Sequence, residues 1–264
     1  MSLKNDYAGS GSIETGILED VYTLDRGVTR TLIERGIDAA YIPHDATNRD
    51  TTLVARIIQD HYDTLEGMFD FVGGTRSLST SYIKEIHAAL LRNVESYTVA
   101  NQFGQAFEMR LEKGQYKTEP NSPTRPDGSV HEYCPPEHTA SEMDELIRLH
   151  CTHESVDVPP EVEAAWLHHR FTQIHPFSDG NGRVARAIAS LVFVKAGWFP
   201  LTIRRDDRAR YIQALETADA DDLRPLVALF VEDNATPSYR RLKLATISGR
   251  SQRPTTQFSQ FESG

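Results

Sequence analysis

The chain has 264 residues, of which 39% are hydrophobic and 25% charged, and its formal net charge is −10, a composition typical of globular proteins. An acidic chain lacks the excess of Lys and Arg that neutralises phosphates, which argues against general nucleic-acid binding. The longest nearly apolar run, 187–194, is far shorter than the roughly 20 residues of a membrane span, and the N-terminus lacks the apolar stretch of a secretory signal. We therefore expect a cytoplasmic protein that binds neither nucleic acid nor a membrane.

Residues 1–50 are predicted to form an extension in front of the main domain. The first eleven residues look loosely ordered, and a short helix is expected at about residues 10–20. The main domain is placed at residues 51–240. Residues 246–264 are polar and rich in Ser, Thr and Gln, so a disordered tail is predicted at residues 241–264.

From residue 51 onwards the hydrophobic pattern predicts a series of helices. Apolar residues between 53 and 72 keep one face of a long helix, and those between 83 and 91 follow the three-four spacing of an amphipathic helix. Thr139 and Glu142 match a capping box at the start of the next helix. Pro160 can occupy the first turn of the helix after that.

Three further helices are predicted towards the C-terminus. The segment 187–194 is nearly apolar all round, which is typical of a central, buried helix, and Gly197 can end it. Apolar residues at 211–218 and 223–230 continue the series, with Pro225 in the first turn of the last helix. The fold class is therefore predicted to be all-α.

The proline-rich segment 117–136 is the exception. Within it, residues 129–133 are predicted to be a short extended strand after the Asp127-Gly128 turn, as one arm of a β-hairpin. A hairpin beside a helical core is a candidate for docking a substrate. A long connecting loop explains the same pattern equally well.

The segment 175–186, which reads HPFSDGNGRVAR, lies between two predicted helices. Gly180 and Gly182 allow a backbone that directs consecutive N–H groups at an anion, and the helix that follows adds the positive end of its dipole. Arg183 and Arg186 are three residues apart, so they share a helix face near this opening. Two guanidinium groups beside a cradle of amides suit a polyphosphate.

Two other residues of this segment add further chemistry. Asp179 supplies a hard oxygen ligand of the kind that a magnesium-phosphate complex needs. His175 supplies a base that can act near neutral pH. Each feature alone also occurs in ordinary connecting loops, but together they favour a phosphate-binding site with a base beside it.

The same segment matches H-x-F-x-[D/E]-G-N-G-R-x-x-R, the signature of the Fic family, at every specified position. The chain resembles that family over roughly residues 50–235. The resemblance implies a helical core with one short β-hairpin flap and an N-terminal helical extension. It also implies an enzyme that transfers AMP from ATP to a Ser, Thr or Tyr hydroxyl of a target protein and releases pyrophosphate. A homodimer is left open.

The resemblance assigns roles to individual residues. His175 would be the general base, and Asp179 would hold Mg²⁺ between the α- and β-phosphates. Asn181 and the amides of the flanking glycines would bind the same two phosphates, while the two arginines would bind the β- and γ-phosphates. Two later residues, Tyr211 and Asp219, are expected to bind the nucleotide. The flap that docks the target would contain Val130, His131, Glu132 and Tyr133.

Two positions bear on the reaction type. The Doc-like branch of the family has Lys where this chain has Gly182 and transfers a phosphate, so Gly182 favours nucleotide transfer. Asp219 departs from the Asn that many relatives place against adenine, which leaves the base preference open. The alternatives are phosphoryl or other nucleotidyl transfer, and a nucleotide-binding interaction module, which would have no need of His175.

Many relatives also carry an inhibitory helix with the pattern [S/T]-x-x-x-E-[G/N], whose Glu pairs with the second motif arginine. Residues Ser10 to Glu14 fit this pattern, with Thr15 where Gly or Asn is usual. We therefore expect Glu14 to pair with Arg186 and to restrain the enzyme. Some relatives restrained in this way are thought to remove AMP as well, so the reverse reaction belongs to the same hypothesis.

Overall fold

The computed structural model describes residues 3–100, 105–124 and 128–234. Within these ranges the chain is mostly helical, as predicted, and its one sheet has two antiparallel strands. The helices are α1 (Leu3–Leu18), α2 (Arg26–Arg35), α3 (Thr51–Gly73), α4 (Thr80–Leu90), α5 (Pro136–Ser155), α6 (Pro160–Ile174), α7 (Asn181–Lys195), α8 (Arg208–Asp219) and α9 (Arg224–Asn234). The strands are β1 (Ser96–Ala100) and β2 (Ala106–Arg110).

Helix α7 is the centre of the fold, as its apolar sequence predicted. Twelve of its fifteen residues are buried, so it is enclosed on nearly every side. It packs most extensively against α6, and it also contacts α3 and α4. Fully buried alanines on both helices, such as Ala165 on α6 and Ala189 on α7, leave room for the two backbones to approach. The loop between α6 and α7 is therefore fixed at both ends.

Phe177 anchors that loop in the core. Its side chain is fully buried, and its ring stacks on the ring of His87 with the centroids 3.9 Å apart. The rings of Tyr116 and Phe171 pack around it at 5.7 and 6.3 Å. Burial of a side chain of this size contributes about 1.5–3 kcal/mol, so the loop is held by the core as well as by its ends.

The N-terminal extension is more ordered than predicted, since α1 begins at Leu3 although the first eleven residues looked loose. The reason is tertiary packing, because Ile13 is completely buried among residues of α2 and α3. Tyr22, which is equally buried, donates a hydrogen bond of 3.0 Å to the carbonyl oxygen of Ile13. Most helix stability comes from such packing, and local composition does not reveal it.

The capping box predicted for α5 is wrong. The helix begins at Pro136, so Thr139 lies inside its first turn and donates a side-chain hydrogen bond of 3.2 Å to the carbonyl of Pro135. Glu142 instead forms an ion pair with Arg170 of α6. Proline fits the first helical position because its missing N–H needs no partner there, and this explains the earlier start.

The predicted hairpin at residues 129–133 is also corrected. That segment contributes only an isolated bridge between Thr124 and Val130, and part of its turn, 125–127, lies outside the described residues. The two-stranded ladder lies earlier, where no strand was predicted, and pairs Tyr97 with Met109 and Val99 with Phe107. The docking segment is therefore an extended loop tied down by single hydrogen bonds.

In the part of the chain that the structure describes, no helix is long and apolar enough to cross a membrane. The tail predicted at residues 241–264 lies outside the described residues.

Candidate active site

The loop between α6 and α7, residues 175–180, is called the motif loop. A residue in the left-handed backbone conformation lies at each of its ends. His175 caps the C-terminus of α6 with φ +50°, and its N–H donates to the carbonyl of Phe171 at 2.9 Å. Gly180 precedes α7 with φ +78°, and a Cβ at this position would lie 2.7 Å from Cδ1 of Leu91. Both the backbone angle and the close contact therefore require glycine at residue 180.

The side chain of Asn181 closes the motif loop. Its Oδ1 accepts a 2.9 Å hydrogen bond from the N–H of Phe177, and its Nδ2 donates at 2.6 Å to the carbonyl of the same residue. The residue is only 2% exposed. The sequence reading placed this side chain on the phosphates, but both ends of the amide are used within the loop. These bonds fix the side chain within the loop, and the backbone N–H of Asn181 at the start of α7 can bind an anion.

A second set of residues holds the loop from outside, and the sequence analysis missed it because these residues lie far from the motif. Asn121 donates from Nδ2 to the carbonyl of Phe177 at 2.8 Å. Lys117 donates from Nζ to Oδ1 of Asn121 at 2.8 Å, and its backbone N–H donates to the carbonyl of Pro176 at the same distance. Burial lowers the pKa of Lys117 to about 8. The loop is thus bonded on both sides.

His175 is positioned as a neutral base. Its Nδ1 lies 3.2 Å from the carbonyl oxygen of Thr172, which can only accept, so Nδ1 carries the proton and Nε2 carries the lone pair. Burial lowers the pKa of His175 to about 4. The ring of Tyr133 stacks on the imidazole with the centroids 3.8 Å apart and the planes within 7° of each other. At neutral pH, Nε2 can therefore accept a proton.

Asp179 and Arg183 form an ion pair at the N-terminus of α7, with 2.9 Å between Oδ2 and Nη2. The arginine side chain is 2% exposed, whereas the carboxylate is 39% exposed and faces the opening of the site. Mg²⁺ in phosphate-transfer sites usually takes one or two protein carboxylates and completes its shell with phosphates and water. The single accessible carboxylate of Asp179 fits that requirement. No group of three or more metal-ligating side chains was found among the described residues.

Arg186 is buried, and α1 together with the turn that follows it engages all three of its guanidinium nitrogens. Its Nη1 lies 2.8 Å from Oε1 of Glu19, while Nε and Nη2 donate to the hydroxyl and the carbonyl of Thr15 at 2.9 and 3.2 Å. Burial alone would lower the pKa of Arg186, but the charge of Glu19 raises it overall. The guanidinium is therefore charged, and each of its three nitrogens already has a hydrogen-bond partner.

The carboxylate of Glu19 covers the start of α7. A Cβ on Gly182 would lie 2.7 Å from the carboxylate carbon, so a larger residue there would require the side chain of Glu19 to move. Burial would raise the pKa of Glu19, but Arg186 and, more weakly, Arg183 and His175 lower it overall. An ionised carboxylate thus occupies the place where the helix dipole and the first backbone N–H groups attract an anion.

The predicted pairing of Glu14 with Arg186 is wrong. Glu14 binds Arg205, with 2.7 Å between Oε1 and Nη2, and its Oε2 accepts from the backbone N–H of Arg205 at 2.9 Å. Ser10 lies one helical turn before Glu14 in α1. The sequence did contain a signal for the residues that contact Arg186, because Thr15 and Glu19 repeat the [S/T]-x-x-x-E spacing five residues later. Residues four apart lie on one side of a helix, which explains why both reach Arg186.

Tyr211 lies behind Arg186 and does not open to the surface. Its hydroxyl is 3.5 Å from Nη1 of Arg186 and 2.8 Å from Nε2 of the buried His168. Burial raises the pKa of Tyr211 to about 12, so the phenol is neutral. The sequence reading expected it to bind the nucleotide. In the structure it supports the arginine from the core.

Asp219 lies at the far end of the site, at the C-terminus of α8. Its Oδ1 accepts from Nε2 of His169 at 2.9 Å, and its Oδ2 lies 4.0 Å from Nε2 of His131. Asp219 and the flap residues His131, Glu132 and Tyr133 line the same cavity of about 550 Å³. Among the predicted flap residues, Val130 is 53% exposed and does not line this cavity. The structure therefore brings Asp219 and most of the flap to one opening beside His175.

Comparisons with known proteins agree with this geometry. The sequence profile of the Fic/DOC family matches residues 77–193. The chain is 30% identical over 106 residues to protein adenylyltransferase fic-1 of Caenorhabditis elegans, which is 40% of this chain and 21% of that protein. It is 30% identical over 152 residues to protein adenylyltransferase Fic of Nematostella vectensis, which is 55% of this chain and 34% of that protein. The matches thus span about a fifth to a third of these curated relatives.

Solved structures share the fold. A Fic domain-containing signaling protein from Bacteroides thetaiotaomicron superposes with a TM-score of 0.66 at 24% identity, covering 93% of this chain and 82% of the other. Fic-1 from Caenorhabditis elegans superposes with a TM-score of 0.63 at 22% identity, covering 91% and 64%. The coverage extends well beyond the motif, so the fold likeness includes most of the helices described above.

Proposed function

Because residues 77–193 form a domain of the Fic/DOC family, we propose that this chain transfers AMP from ATP to a Ser, Thr or Tyr hydroxyl of a target protein and that Glu19 restrains the reaction. One observation carries the proposal. A neutral histidine with a free Nε2 and two buried arginines converge on the N-terminus of a single helix. Curated relatives with part of this sequence are named protein adenylyltransferases, which supports the reaction type.

The residues around α7 suit a triphosphate. The first backbone N–H groups of the helix and its dipole would bind phosphate oxygens, and Arg183 and Arg186 would neutralise the remaining charge. Asp179 would hold Mg²⁺, which supplies charge neutralisation on the phosphates when it is bound. The cavity beside Asp219 and Tyr133 is wide enough for the nucleoside, and the flap would dock the target beside it.

The reaction requires one proton acceptor and one stabilised leaving group. Nε2 of His175 would take the proton from the target hydroxyl while its oxygen attacks the α-phosphorus. The new P–O bond forms as the bond between the α-phosphorus and the bridging oxygen breaks, and pyrophosphate leaves with that electron pair. The arginines and the helix N-terminus stabilise the negative charge that develops on the phosphates.

Restraint follows from where Glu19 lies. Its carboxylate occupies the anion site over Gly182 and neutralises Arg186, so a γ-phosphate must compete with a charge that is already in place. Two anions at that spacing repel each other strongly in a partly buried site. The same carboxylate lies close to His175, so we include removal of AMP from a modified protein in the proposal.

The test uses purified protein, Mg²⁺ and ATP labelled at either the α- or the γ-phosphate. Wild type, Glu19→Gly and His175→Ala are compared for label on the protein itself and on added lysate proteins. We expect label from α-labelled ATP alone, stronger with Glu19→Gly and absent with His175→Ala. Release of AMP from the labelled product measures the reverse reaction.

Label from γ-labelled ATP alone would assign the chain to phosphoryl transfer. ATP binding without label from either position, with all lysates tried, would favour the nucleotide-binding interaction module. Equal labelling by wild type and Glu19→Gly would remove the restraint from the proposal while leaving the transfer reaction in place.

A further inference from the structure

A small cavity of about 20 Å³ lies against α7, α1 and α3. Its walls include Thr15 of α1, His61 of α3, and Arg183 and Arg186 of α7. A buried space needs about 10–15 Å³ to hold one water molecule, so this cavity holds one and no more.

Several buried nitrogen atoms belong to the residues around this cavity. Among the described residues, Nε and Nη1 of Arg183 and Nε2 of His61 are buried and have no hydrogen-bond partner in the protein. Arg183 is 3% exposed, and His61 is completely buried. Buried polar atoms in folded proteins are almost always hydrogen-bonded, and the penalty is greatest for a charged group such as a guanidinium. A bound molecule in the cavity would satisfy both residues.

The proton on His61 decides which molecule fits. Its Nδ1 lies 3.1 Å from the carbonyl oxygen of Ser12, which can only accept, so Nδ1 carries the proton and Nε2 carries a lone pair. Burial and the nearby charge of Arg183 lower the pKa of His61 to about 3, so the ring is neutral. The bound molecule must therefore accept from the guanidinium and donate to the imidazole. Water does both, whereas a halide ion cannot donate.

We propose that this cavity binds one water molecule that joins Arg183 to His61, and that His61 is thereby a positioning residue for the phosphate-binding arginine. The same imidazole bonds α1 through the carbonyl of Ser12. One side chain therefore connects the docked N-terminal helix to Arg183. The role in phosphate binding rests on the proposed function, but the water site depends only on the contacts around the cavity.

The water site is tested directly on the full chain. A crystal structure that resolves ordered water should show one density peak within hydrogen-bond distance of Nε2 of His61 and of the guanidinium of Arg183. Crystals soaked in bromide should show no anomalous signal there. Nitrogen NMR of the imidazole should show a protonated Nδ1 and an unprotonated, hydrogen-bonded Nε2. A bromide peak in the cavity, or no density at all, overturns the proposal.

The positioning role is tested with two substitutions made in the Glu19→Gln background, where the nucleotide site is accessible. His61→Phe fills the same space but removes both nitrogens, whereas His61→Gln keeps one donor and one acceptor. We expect His61→Phe to weaken ATP binding about tenfold, the effect of losing one hydrogen bond to a charged group, and to raise KM more than it lowers kcat. His61→Gln should stay within about threefold of its parent, because it can keep the water.

His150→Phe is the matched control, because His150 is also buried and hydrogen-bonded but does not line the cavity. Both phenylalanine variants should lower the midpoint temperature of thermal unfolding, but only His61→Phe should lower the affinity for ATP. Equal affinity in the two phenylalanine variants overturns the positioning role. Binding is measured by calorimetry, so the result stands even if no transfer reaction is found.

Discussion

Oε1 of Glu19 and Nη1 of Arg186 lie 2.8 Å apart at the N-terminus of α7. Thr15, one helical turn earlier in α1, binds the same guanidinium through its hydroxyl and its carbonyl. The acidic residue just beyond the C-terminus of one helix thus meets the N-terminal turn of another. The dipole of α1 disfavours a negative charge at that end, whereas the dipole of α7 and Arg186 favour it. The position of Glu19 is therefore stabilised mainly by α7.

Glu19→Gln should increase ATP affinity about tenfold or more and raise AMP transfer in parallel. The amide keeps the shape of the side chain but removes the charge that competes with the γ-phosphate. Calorimetry measures the affinity, and α-labelled ATP measures the transfer. Asp20→Asn is the matched control, because Asp20 is the next carboxylate in the chain and pairs with Arg208 instead. An equal gain in affinity in both variants would show that only net charge matters.

The ion pair should also make stability depend on pH. Because Arg186 holds the pKa of Glu19 below its ordinary value of 4.5, the ionised form stabilises the fold above that value. This contribution, about 1–2 kcal/mol for a charged hydrogen bond that is partly exposed, is lost as pH falls through the lowered pKa. Urea unfolding should therefore separate wild type from Glu19→Gln at pH 7, and the difference between them should shrink as the pH falls below 4.5. A constant difference across that range would argue against the pair.

Glu14→Gln should act differently, because Glu14 pairs with Arg205 and not with Arg186. Loss of its charge weakens three hydrogen bonds from the guanidinium, two of which share Nε, and one from the backbone N–H, which we expect to cost about 1–3 kcal/mol. Amide hydrogen exchange in α1 should become faster, and ATP affinity should rise less than with Glu19→Gln. If Glu14→Gln raises ATP affinity as much as Glu19→Gln does, and amide exchange in α1 is not faster, both glutamates restrain nucleotide binding and the restraint cannot be assigned to Glu19 alone.

The contrast between these glutamates shows what the sequence could and could not predict. Both Ser10–Glu14 and Thr15–Glu19 carry the same four-residue spacing, and only the docking of α1 on α7 decides which one reaches Arg186. The motif residues and the core helices were predictable because their signals are local, in a short signature and in regular apolar spacing. Asn181 was placed in the correct loop, but its two bonds to Phe177 were not predicted, since they depend on the path of the backbone.

Strands β1 and β2 were missed for a related reason. Each strand is only five residues long, and β2 is exposed along its whole length. A short exposed ladder has little hydrophobic pattern to read, whereas the Asp-Gly turn near residue 128 is a strong local signal that led to only an isolated bridge. Tertiary contacts, which no local pattern contains, decided both cases.

The pH profile of transfer should report the buried environment of His175. Since its pKa is lowered to about 4, the imidazole stays unprotonated and active as a base from pH 8 down to about pH 5. kcat/KM should therefore be nearly constant between pH 8 and 6, whereas an exposed histidine, with a pKa near 6.5, would already lose most of its activity at pH 6. Tyr133→Ala uncovers the ring and should move the acidic limb to higher pH. A wild-type limb near pH 6.5 would contradict this account.

Asn181→Asp should separate loop closure from charge in the site. The substitution keeps the size of the side chain but replaces the Nδ2 donor with an oxygen that faces the carbonyl of Phe177. A buried donor is lost and two acceptors are brought together, so we expect a loss of about 2–4 kcal/mol in unfolding free energy, measured in urea. Transfer should fall at least tenfold because both ends of the loop position catalytic groups. Asn93→Asp, at an amide outside the loop that donates to the carboxylate of Asp60, is the control for the chemistry of the change. A variant with wild-type stability and reduced ATP affinity would instead place the amide of Asn181 on the phosphates, as the sequence alone suggested.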